Sequence, residues 1–490
     1  MPTTYGQTQI VQKPRFEQLV AGQPIIFVVE NNQVVANEIR VKHNARLFIS
    51  EADTVSTSAE YKIGDFKTTP NNAGAGIFDF SDLLQSYVSA DNEIWTNPFS
   101  DPNGANAEYK QVDVTENKPV PIHMVDKFSR STNSTIWFKI QFRTEWYDTS
   151  TNQVYSTNTT VNSTEYVLYN GYLKHTDVIE RKGGIYDVDL GYDLRDRFRL
   201  SSDSKEFMTN APLYQYANQN DYMTMSIMLL EDIFQANANG VNRIKFQRYD
   251  HSGGAVGGGH YYYITGSSNG GFSSNFQSTN FNYVYNKQIF FGCGPANVLQ
   301  AFSSFTCNPN AVAYYTIRAE ASSGQNLSQQ YRIYINCPSN KGYESIRLTW
   351  LNQWGAWDYY TFNMKSVRSL STKSTKYQPL QGQWNKGTYQ MASHRGGKKT
   401  FRVNATERIK INTDFVTDEE SAWFEDLMNS PEIYIIEPKQ TDQSHSALNQ
   451  YVTPVTLKTT SYTRKTVAND KLIQYTFEVE KTKTLRTQSV

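Results

Sequence analysis

The sequence predicts a mainly β protein with a multi-domain, β-sandwich-like architecture, in which the C-terminal domain is a β-sheet that carries one amphipathic helix. Three observations predict this fold class: apolar and polar residues alternate with a period of two, Asn-Gly steps supply tight turns, and one segment after residue 417 has a helical pattern. The 490 residues are 38% hydrophobic and 14% aromatic, enough to form sizeable cores. A chain of this length is expected to contain about two to four domains.

The period-two pattern is clearest in the segment 136–147, where phenylalanine and isoleucine alternate with lysine, glutamine and arginine. The segments 222–229 and 243–249 show the same alternation. Such strands place one face on a core and the other in solvent, as in antiparallel sheets. Asn-Gly steps, which favour the positive backbone angles of tight turns, occur at Asn103, Asn170, Asn239 and Asn269.

The first domain is predicted to span residues 1–204. Near its start the sequence PIIFVVENNQVVANEIRV is interpreted as two strands joined by a turn at Asn31-Asn32, and the segment 45–50 as a third strand. Ser81 is the predicted N-cap of a short helix. A long polar excursion is expected between residues 91 and 118.

The second domain is predicted to span residues 205–375. Its Gly-rich run Ser252–Gly259 resembles a phosphate loop in composition, but the Lys-Ser/Thr pair that such a loop requires does not follow the last glycine. We therefore expect a mobile loop between two strands. Residues Gly266–Gly270 formally match the nucleophile elbow GxSxG, but more Gly and Ser follow where the elbow requires a helix.

The third domain is predicted to span residues 376–490. Thr417 and Glu420 have the spacing of a capping box, and the apolar residues after them recur at helical spacing up to Pro431. The segment Asp418–Asn429 is therefore predicted to be an amphipathic helix. Strands are expected on both sides of it, at 406–411, 432–437, 452–458 and 472–480.

No residue pattern in the chain indicates catalysis, a cofactor or a bound metal. Cys293, Cys307 and Cys337 are odd in number and form no CxxC pair, and the seven histidines show no metal-binding spacing. We therefore expect reduced thiols and a protein that is not an enzyme. No signal peptide is recognisable and no run of about 18 apolar residues occurs, so synthesis in a cytoplasm and no membrane span are expected.

The charge is balanced, with 47 basic and 47 acidic residues. A neutral total argues against specific nucleic-acid binding, which usually requires a basic domain or stripe. The basic run Arg395–Lys399 is interpreted as a solvated linker in preference to a surface that contacts DNA.

The segment Arg347–Phe362, RLTWLNQWGAWDYYTF, is rich in aromatic residues, which supply buried area both in cores and at interfaces. An ordinary core is one interpretation and a subunit interface is the other. The interface hypothesis names Trp350, Trp354, Trp357, Tyr359, Tyr360, Tyr261, Tyr262 and Tyr263. Burial of both Trp354 and Trp357 within one subunit would exclude their interface role.

The C-terminal sequence ERIKINTDFVTDEESAWFEDLMNSPEIYII, with FVVENNQVVAN, GIFDFSDLLQSYV and WGAWDYYTF, resembles tail, baseplate and neck-ring structural proteins of siphovirus-like and crAss-like phages that infect Bacteroidota. The resemblance implies a non-enzymatic virion protein that assembles into a ring with itself and with other tail or neck proteins. It carries over no catalytic residue.

Two alternatives remain open at this point. The first is a receptor-binding tail protein whose exposed aromatic residues bind host surface glycans. The second is a glycan-degrading tail enzyme, which neither an evident carboxylate pair nor a repeat pattern supports.

Overall fold

In the computed structural model, the parts of the chain that are described are 5–51, 55–93, 121–125, 128–131, 133–174, 177, 192–229, 240–264, 287–336, 342–380, 382, 387, 397–438, 452–464, 473–482 and 485–486. Mainly β structure in several sheets confirms the predicted fold class. The described chain divides into two units. Unit 1 comprises residues of Met1–Asn336 and Leu351–Asp358, and unit 2 comprises residues of Cys337–Trp350, Tyr359–Pro438 and Ser446–Val490.

The strands up to residue 336 all belong to unit 1. They are β1 Gln9–Gln12, β2 Gln18–Gly22, β3 Ile26–Glu30, β4 Ile39–Ser50, β5 Lys62–Thr68, β6 Ala75–Asp79, β7 Phe128–Arg130, β8 Thr135–Asp148, β9 Gln153–Ser156, β10 Val161–Asn162, β11 Tyr166–Tyr172, β12 Tyr214–Ala217, β13 Thr224–Leu229, β14 Val241–Tyr249, β15 Ala255–Tyr263, β16 Lys287–Gly292, β17 Tyr314–Ala321 and β18 Tyr331–Ile335. The later strands are β19 Ile346–Leu351, β20 Trp357–Phe362, β21 Val367–Tyr377, β22 Lys399–Asn412, β23 Ile433–Ile436, β24 Val452–Leu457, β25 Thr476–Lys481 and β26 Leu485–Arg486.

The described helices are short. They are α1 Asn32–Asn37, α2 Ser81–Gln85, α3 Leu194–Phe198, α4 Pro295–Ala301 and α5 Asp418–Asn429, with single 3-10 turns at Ala59–Tyr61 and Ile122–Met124. Among the described residues, no helix combines the length and the hydropathy that crossing a lipid bilayer requires.

The first sandwich in unit 1 packs the sheet β1-β3-β6 against a seven-stranded sheet whose main path is β2-β11-β8-β4-β5. Phe27 of β3 and Phe142 of β8 meet in the core, with ring centroids 5.7 Å apart. The alternation predicted for β8 is confirmed, since its Phe and Ile residues are buried and Lys139, Gln141 and Arg143 are partly exposed.

Three local predictions in this sandwich are wrong. Asn31 begins no turn between strands: its side chain accepts the backbone N–H of Val34 and caps α1. Ser81 is the first residue of α2 and not its cap, because its hydroxyl accepts the backbone N–H of Ile25 instead. Asn170 and the glycine after it continue β11 as a strand and do not form a turn.

The second sandwich in unit 1 packs the three-stranded sheet β13-β16-β7 against the five-stranded sheet β12-β18-β17-β14-β15. Phe128 of β7 and Tyr262 of β15 meet between them at 5.7 Å. Both faces of β13 are buried, since Thr224 and Ser226 are as inaccessible to solvent as its methionines. The prediction that one face of this strand is exposed to solvent is therefore wrong. The Gly-rich run is also not a loop: the turn ends at Gly254, and β15 begins at Ala255.

Most pairings in the sheets are antiparallel, as predicted. The described exceptions are β2 with β11 and β12 with β18, which pair in parallel.

The fifth sheet has the order β20-β19-β23-β24-β25-β22-β21, and β26 also pairs with β22. Helix α5 has the predicted bounds and the predicted capping box, in which Thr417 accepts the N–H of Glu420 and Glu420 accepts the N–H of Thr417. The sheet includes β19, β20 and β21, which the sequence had placed in the second domain. Cross-strand pairing joins β19 to β23 and β21 to β22 within this sheet.

Several predictions fall outside the described residues. They concern the Asn-Gly steps at Asn103, Asn239 and Asn269, the GxSxG match at 266–270, Cys337, Arg395, and most of the polar excursion 91–118.

Candidate interaction face of the five-stranded sheet

Trp350 and Tyr359, two of the candidate interface residues, lie in the core of unit 2. Trp350 is fully buried, with its ring 4.9 Å from that of Trp423 on helix α5. Tyr359 is also buried, and the guanidinium of Arg347 lies 5.3 Å from its ring centroid. These side chains are inaccessible to a second subunit in this conformation, so their role is in packing.

Trp354 and Trp357 lie in the core of unit 1, each with only 2% of its surface exposed. The indole N–H of Trp354 donates to Oδ1 of Asn210 at 2.8 Å, and that of Trp357 donates to the backbone oxygen of Asp91 at 2.9 Å. The ring of Phe198 lies 4.9 Å from Trp354. Both tryptophans are therefore buried within one subunit, which is the condition stated above for excluding their interface role.

The remaining candidates divide by strand position. Tyr262 points inward and is buried, with its ring 4.7 Å from Phe246. Tyr261 and Tyr263, its neighbours on β15, point to the opposite face and are partly exposed. Tyr360 is partly exposed in unit 2, beside Phe424 at 4.9 Å. For these three the interface assignment stays a prediction.

The outer face of the five-stranded sheet brings together an aromatic set that the sequence did not single out. Strand alternation places Tyr214 and Tyr216 of β12 on this face, where each is 50% exposed. Tyr249, Tyr314 and Tyr334 are partly exposed on the same face. We call these five residues, together with Arg332, the tyrosine face.

Four of these tyrosines form a row across four strands. Tyr216 is the register partner of Tyr334, Tyr334 of Tyr314, and Tyr314 of Tyr249. The ring centroids are 5.6 Å, 5.3 Å and 5.0 Å apart along the row. Since adjacent strands lie about 4.8 Å apart, the row extends roughly 14 Å across the sheet.

Arg332 lies in the next row of the same face, opposite Tyr214. Its guanidinium is 5.5 Å from the ring centroids of both Tyr214 and Tyr314. A hydrogen bond with Tyr334 raises the pKa of Arg332, while burial acts in the opposite direction. Attraction between the cation and the two rings favours this position of Arg332, which is partly exposed.

Beyond the tyrosines, the face carries a charge network centred on Glu320 of β17. Its carboxylate bonds to Arg243 at 2.9 Å, Arg318 at 2.6 Å and Lys245 at 3.3 Å, and only 1% of its side chain is exposed. Burial alone would raise the pKa of Glu320, but these cations hold it below its usual range. Tyr261 stacks on Arg243 at 4.4 Å and so joins the network to the candidate tyrosines of β15.

The residue types on this face are suited to binding. Tyrosine and arginine are the residue types most enriched where proteins bind other proteins, and planar rings also stack on sugar rings. A signal for part of the face was present in the sequence, since Tyr214-x-Tyr216 places two tyrosines at the spacing of one strand face. The cross-strand register that aligns them was not readable without the structure.

The described residues include no group of three or more His, Cys, Asp or Glu side chains that could hold a metal ion. Cys293 and Cys307 are buried cysteines. Burial raises the pKa of Cys307 to about 12, with the nearby charge of Arg248 acting the other way.

Comparisons with known proteins do not assign the chain to a family. The sequence matches no protein family profile, and it matches no curated protein. Among solved structures, the chain is similar to trypsin-activated alpha-2-macroglobulin from Escherichia coli with 8% identity over 84% of this chain and a TM-score of 0.18. The chain spans 26% of the length of that protein. A similarity of this size supports neither a shared fold nor a shared function.

Proposed function

We propose that the chain is a non-enzymatic structural subunit of a bacteriophage virion, in the tail, the baseplate or the neck, made in the host cytoplasm. In this proposal it assembles into a ring with copies of itself and binds neighbouring virion proteins. The phage assignment is supported by the sequence resemblance. The assembly role is supported by one structural observation, the partly exposed row of contacting tyrosine rings on the tyrosine face.

The tyrosine face has the properties of an unoccupied protein interface. Its rings are fixed by cross-strand stacking, so a partner immobilises them at little further loss of conformational entropy. Tyr216, at the β12 end of the row, and Tyr214, on the same strand, are half exposed in the single subunit. Tyrosine and arginine together provide large apolar contact area and directed hydrogen bonds, the combination found at binding hot spots.

A ring requires that one surface of each subunit contact a different surface of the next. The tyrosine face provides one such surface, and the partly exposed tyrosines Tyr261 and Tyr263 extend it along β15. A rotation that closes after a fixed number of copies gives a ring of defined size.

A second candidate function, receptor binding, is favoured by the accessibility of the ring faces beside Arg332. An exposed aromatic platform with one cation could stack on sugars of a host surface polysaccharide and bind an acidic substituent. Reproducible low-micromolar binding of the purified protein on a glycan array would favour this function over assembly.

Negative-stain imaging of the purified chain at several concentrations tests the main proposal. Closed rings with a constant subunit number are expected. A chain that stays monomeric at all concentrations, alone and with neighbouring tail proteins added, would contradict it.

A further inference from the structure

Strands β21 and β22 form a long hairpin in unit 2, and its distal part is exposed on both strands. All residues from Val367 to Lys376 are exposed, and so are residues 397–402. Toward the sheet, β22 also pairs with β26 at Asn404 and Ala405 and with β25 from Arg408 onward. We call the described residues 371–380 and 397–405 the distal ribbon.

The distal ribbon carries five cations and no carboxylate. The cations are Lys373, Lys376, Lys398, Lys399 and Arg402. The sequence between the two halves of the ribbon also contains no Asp or Glu. Because the whole chain has 47 acidic residues among 490, a continuous stretch from 371 to 405 without any is a marked segregation of charge.

The sheet around the base of the same hairpin has the opposite character, because cations on β22, on β25 and directly after β24 are paired with carboxylates. Lys481 bonds to Glu407 at 2.9 Å, Lys458 to Glu480 at 3.0 Å, and Arg408 to Glu480 at 2.7 Å. The sheet thus neutralises its positive charges near the base and leaves a concentrated positive potential on the distal ribbon.

Register places three of the distal cations on one face. Lys373 is opposite Asn404, Thr375 is opposite Arg402, and Tyr377 is opposite Lys399. Opposed residues share a face of an antiparallel pair, and residues two apart on a strand share it too. The irregularity between Thr375 and Lys376 skips one residue of β22 and brings Lys399 to the same side as Arg402.

We propose that the distal ribbon binds the phosphate backbone of double-stranded nucleic acid without sequence specificity. Its cations neutralise phosphates, and the interleaved hydroxyl and amide side chains, such as Thr375 and Asn404, donate hydrogen bonds to phosphate oxygens. A two-stranded antiparallel ribbon also has the width that the major groove of B-form DNA admits.

Polar composition favours nucleic acid over a membrane surface. The face that carries Lys373, Arg402 and Lys399 is otherwise formed by Ser, Thr, Asn and Tyr side chains, with no continuous apolar stripe to enter lipid. The cations recur along the ribbon, and the phosphates of nucleic acid recur at regular spacing. A nucleic acid therefore complements this array of cations better than a single acidic segment of a protein would. The chain as a whole is neutral and therefore not a generally basic protein. The distal ribbon, in contrast, has a local excess of positive charge.

The test measures binding of the full chain to a short fluorescent DNA duplex between about 50 and 200 mM salt, the range in which counterion release is pronounced. The triple variant K373Q/K399Q/R402Q is expected to bind at least about tenfold more weakly at the low-salt end. Loss of three phosphate contacts should also reduce the slope of log affinity against log salt by about 2.7.

A matched control removes the same charge from the sheet around the base of the hairpin. The triple variant K410Q/K458Q/K481Q should retain wild-type affinity within about twofold, since these lysines are paired with carboxylates. Circular dichroism of both variants establishes that they remain folded. Absence of duplex binding by the wild-type chain, or equal weakening in both variants, would overturn the proposal. So would tighter binding to anionic phospholipid vesicles or to polyglutamate than to the duplex.

Discussion

The rings of Tyr249 and Tyr314 stack on the outer face of the five-stranded sheet, 5.0 Å apart and 15° from parallel. The next residue of β17, Tyr315, points to the opposite face, where it is fully buried and donates its hydroxyl to the backbone oxygen of Cys293 at 2.6 Å. Two adjacent tyrosines thus occupy a surface and a core, and substitution can separate their roles.

We expect Tyr314→Ala to lower the free energy of unfolding by about 1 kcal/mol, since it removes a partly exposed stacking pair. Tyr315→Ala should cost about 3–5 kcal/mol, because it leaves a cavity in the core. Urea unfolding of the two variants measures both values. Equal losses would show that Tyr314 is also a core residue and that the tyrosine face is not a free surface.

Glu320 is expected to be the most sensitive charged position on this face. Glu320→Gln leaves Arg243, Lys245 and Arg318 clustered without their common carboxylate, and should cost about 3 kcal/mol at neutral pH. Glu478→Gln serves as a control, because the partners of Glu478 are more distant and more exposed, and it should cost less than about 1 kcal/mol.

The contribution of Glu320 should also depend on pH. Its pKa is lowered in the folded state, so its stabilisation is fully present above the ordinary glutamate pKa and is lost as pH falls through the folded value. The difference in unfolding free energy between wild type and Glu320→Gln should therefore shrink in acid. A difference that grows as pH falls would contradict this electrostatic account.

Trp354 should behave as a core residue. Trp354→Ala is expected to cost about 3–5 kcal/mol, and Trp354→Phe about 1–2 kcal/mol through loss of the hydrogen bond to Asn210. Tyr261→Ala, on the exposed face, should cost about 1 kcal/mol or less. Thermal and urea unfolding provide the comparison. A folded, stable Trp354→Ala variant that fails only to assemble would restore the interface hypothesis for this tryptophan.

The capping box of α5 predicts a smaller, local effect. Thr417→Ala removes the acceptor for the N–H of Glu420 and should cost about 1 kcal/mol. Glu420→Gln keeps an oxygen acceptor for the N–H of Thr417, so it should be nearly neutral. Reversal of this order in unfolding measurements would mean that the charge of Glu420, and not the capping geometry, stabilises the helix start.

Cys307 should be inert in the folded protein. With its pKa raised to about 12 by burial, only about one thiol in ten thousand is ionised at pH 8. In a Cys337→Ser background, labelling by a thiol reagent should proceed no faster than unfolding. Rapid labelling of Cys307 without denaturant would contradict its burial.

Features with local sequence signals were predicted well. Helix α5 has the predicted bounds because the signals for its two ends, the capping box at Thr417 and the stop before Pro431, lie in the helix or directly beside it in the sequence. The alternation of apolar and polar residues in β8 was also predicted correctly from the sequence. Asn31 misled the prediction because an asparagine favours turns and helix caps alike, and only tertiary contacts decide between them.

The candidate site was predicted only in part, for a different reason. Aromatic content does not distinguish a core from an interface, and the burial of Trp354 and Trp357 depends on residues far away in sequence, such as Asp91 and Asn210. The tyrosine row arises from the register of four strands, of which only β17 and β18 are consecutive in the chain. Register across such distances has no local signature.

The measurement that tests the central claim most directly is sedimentation of the wild-type chain and of the double variant Y216A/Y334A over a range of concentrations. The account predicts a discrete oligomer for the wild type, and at least about tenfold weaker association for a variant whose circular dichroism is unchanged. A wild-type oligomer that the variant forms equally well would contradict assembly through the tyrosine face.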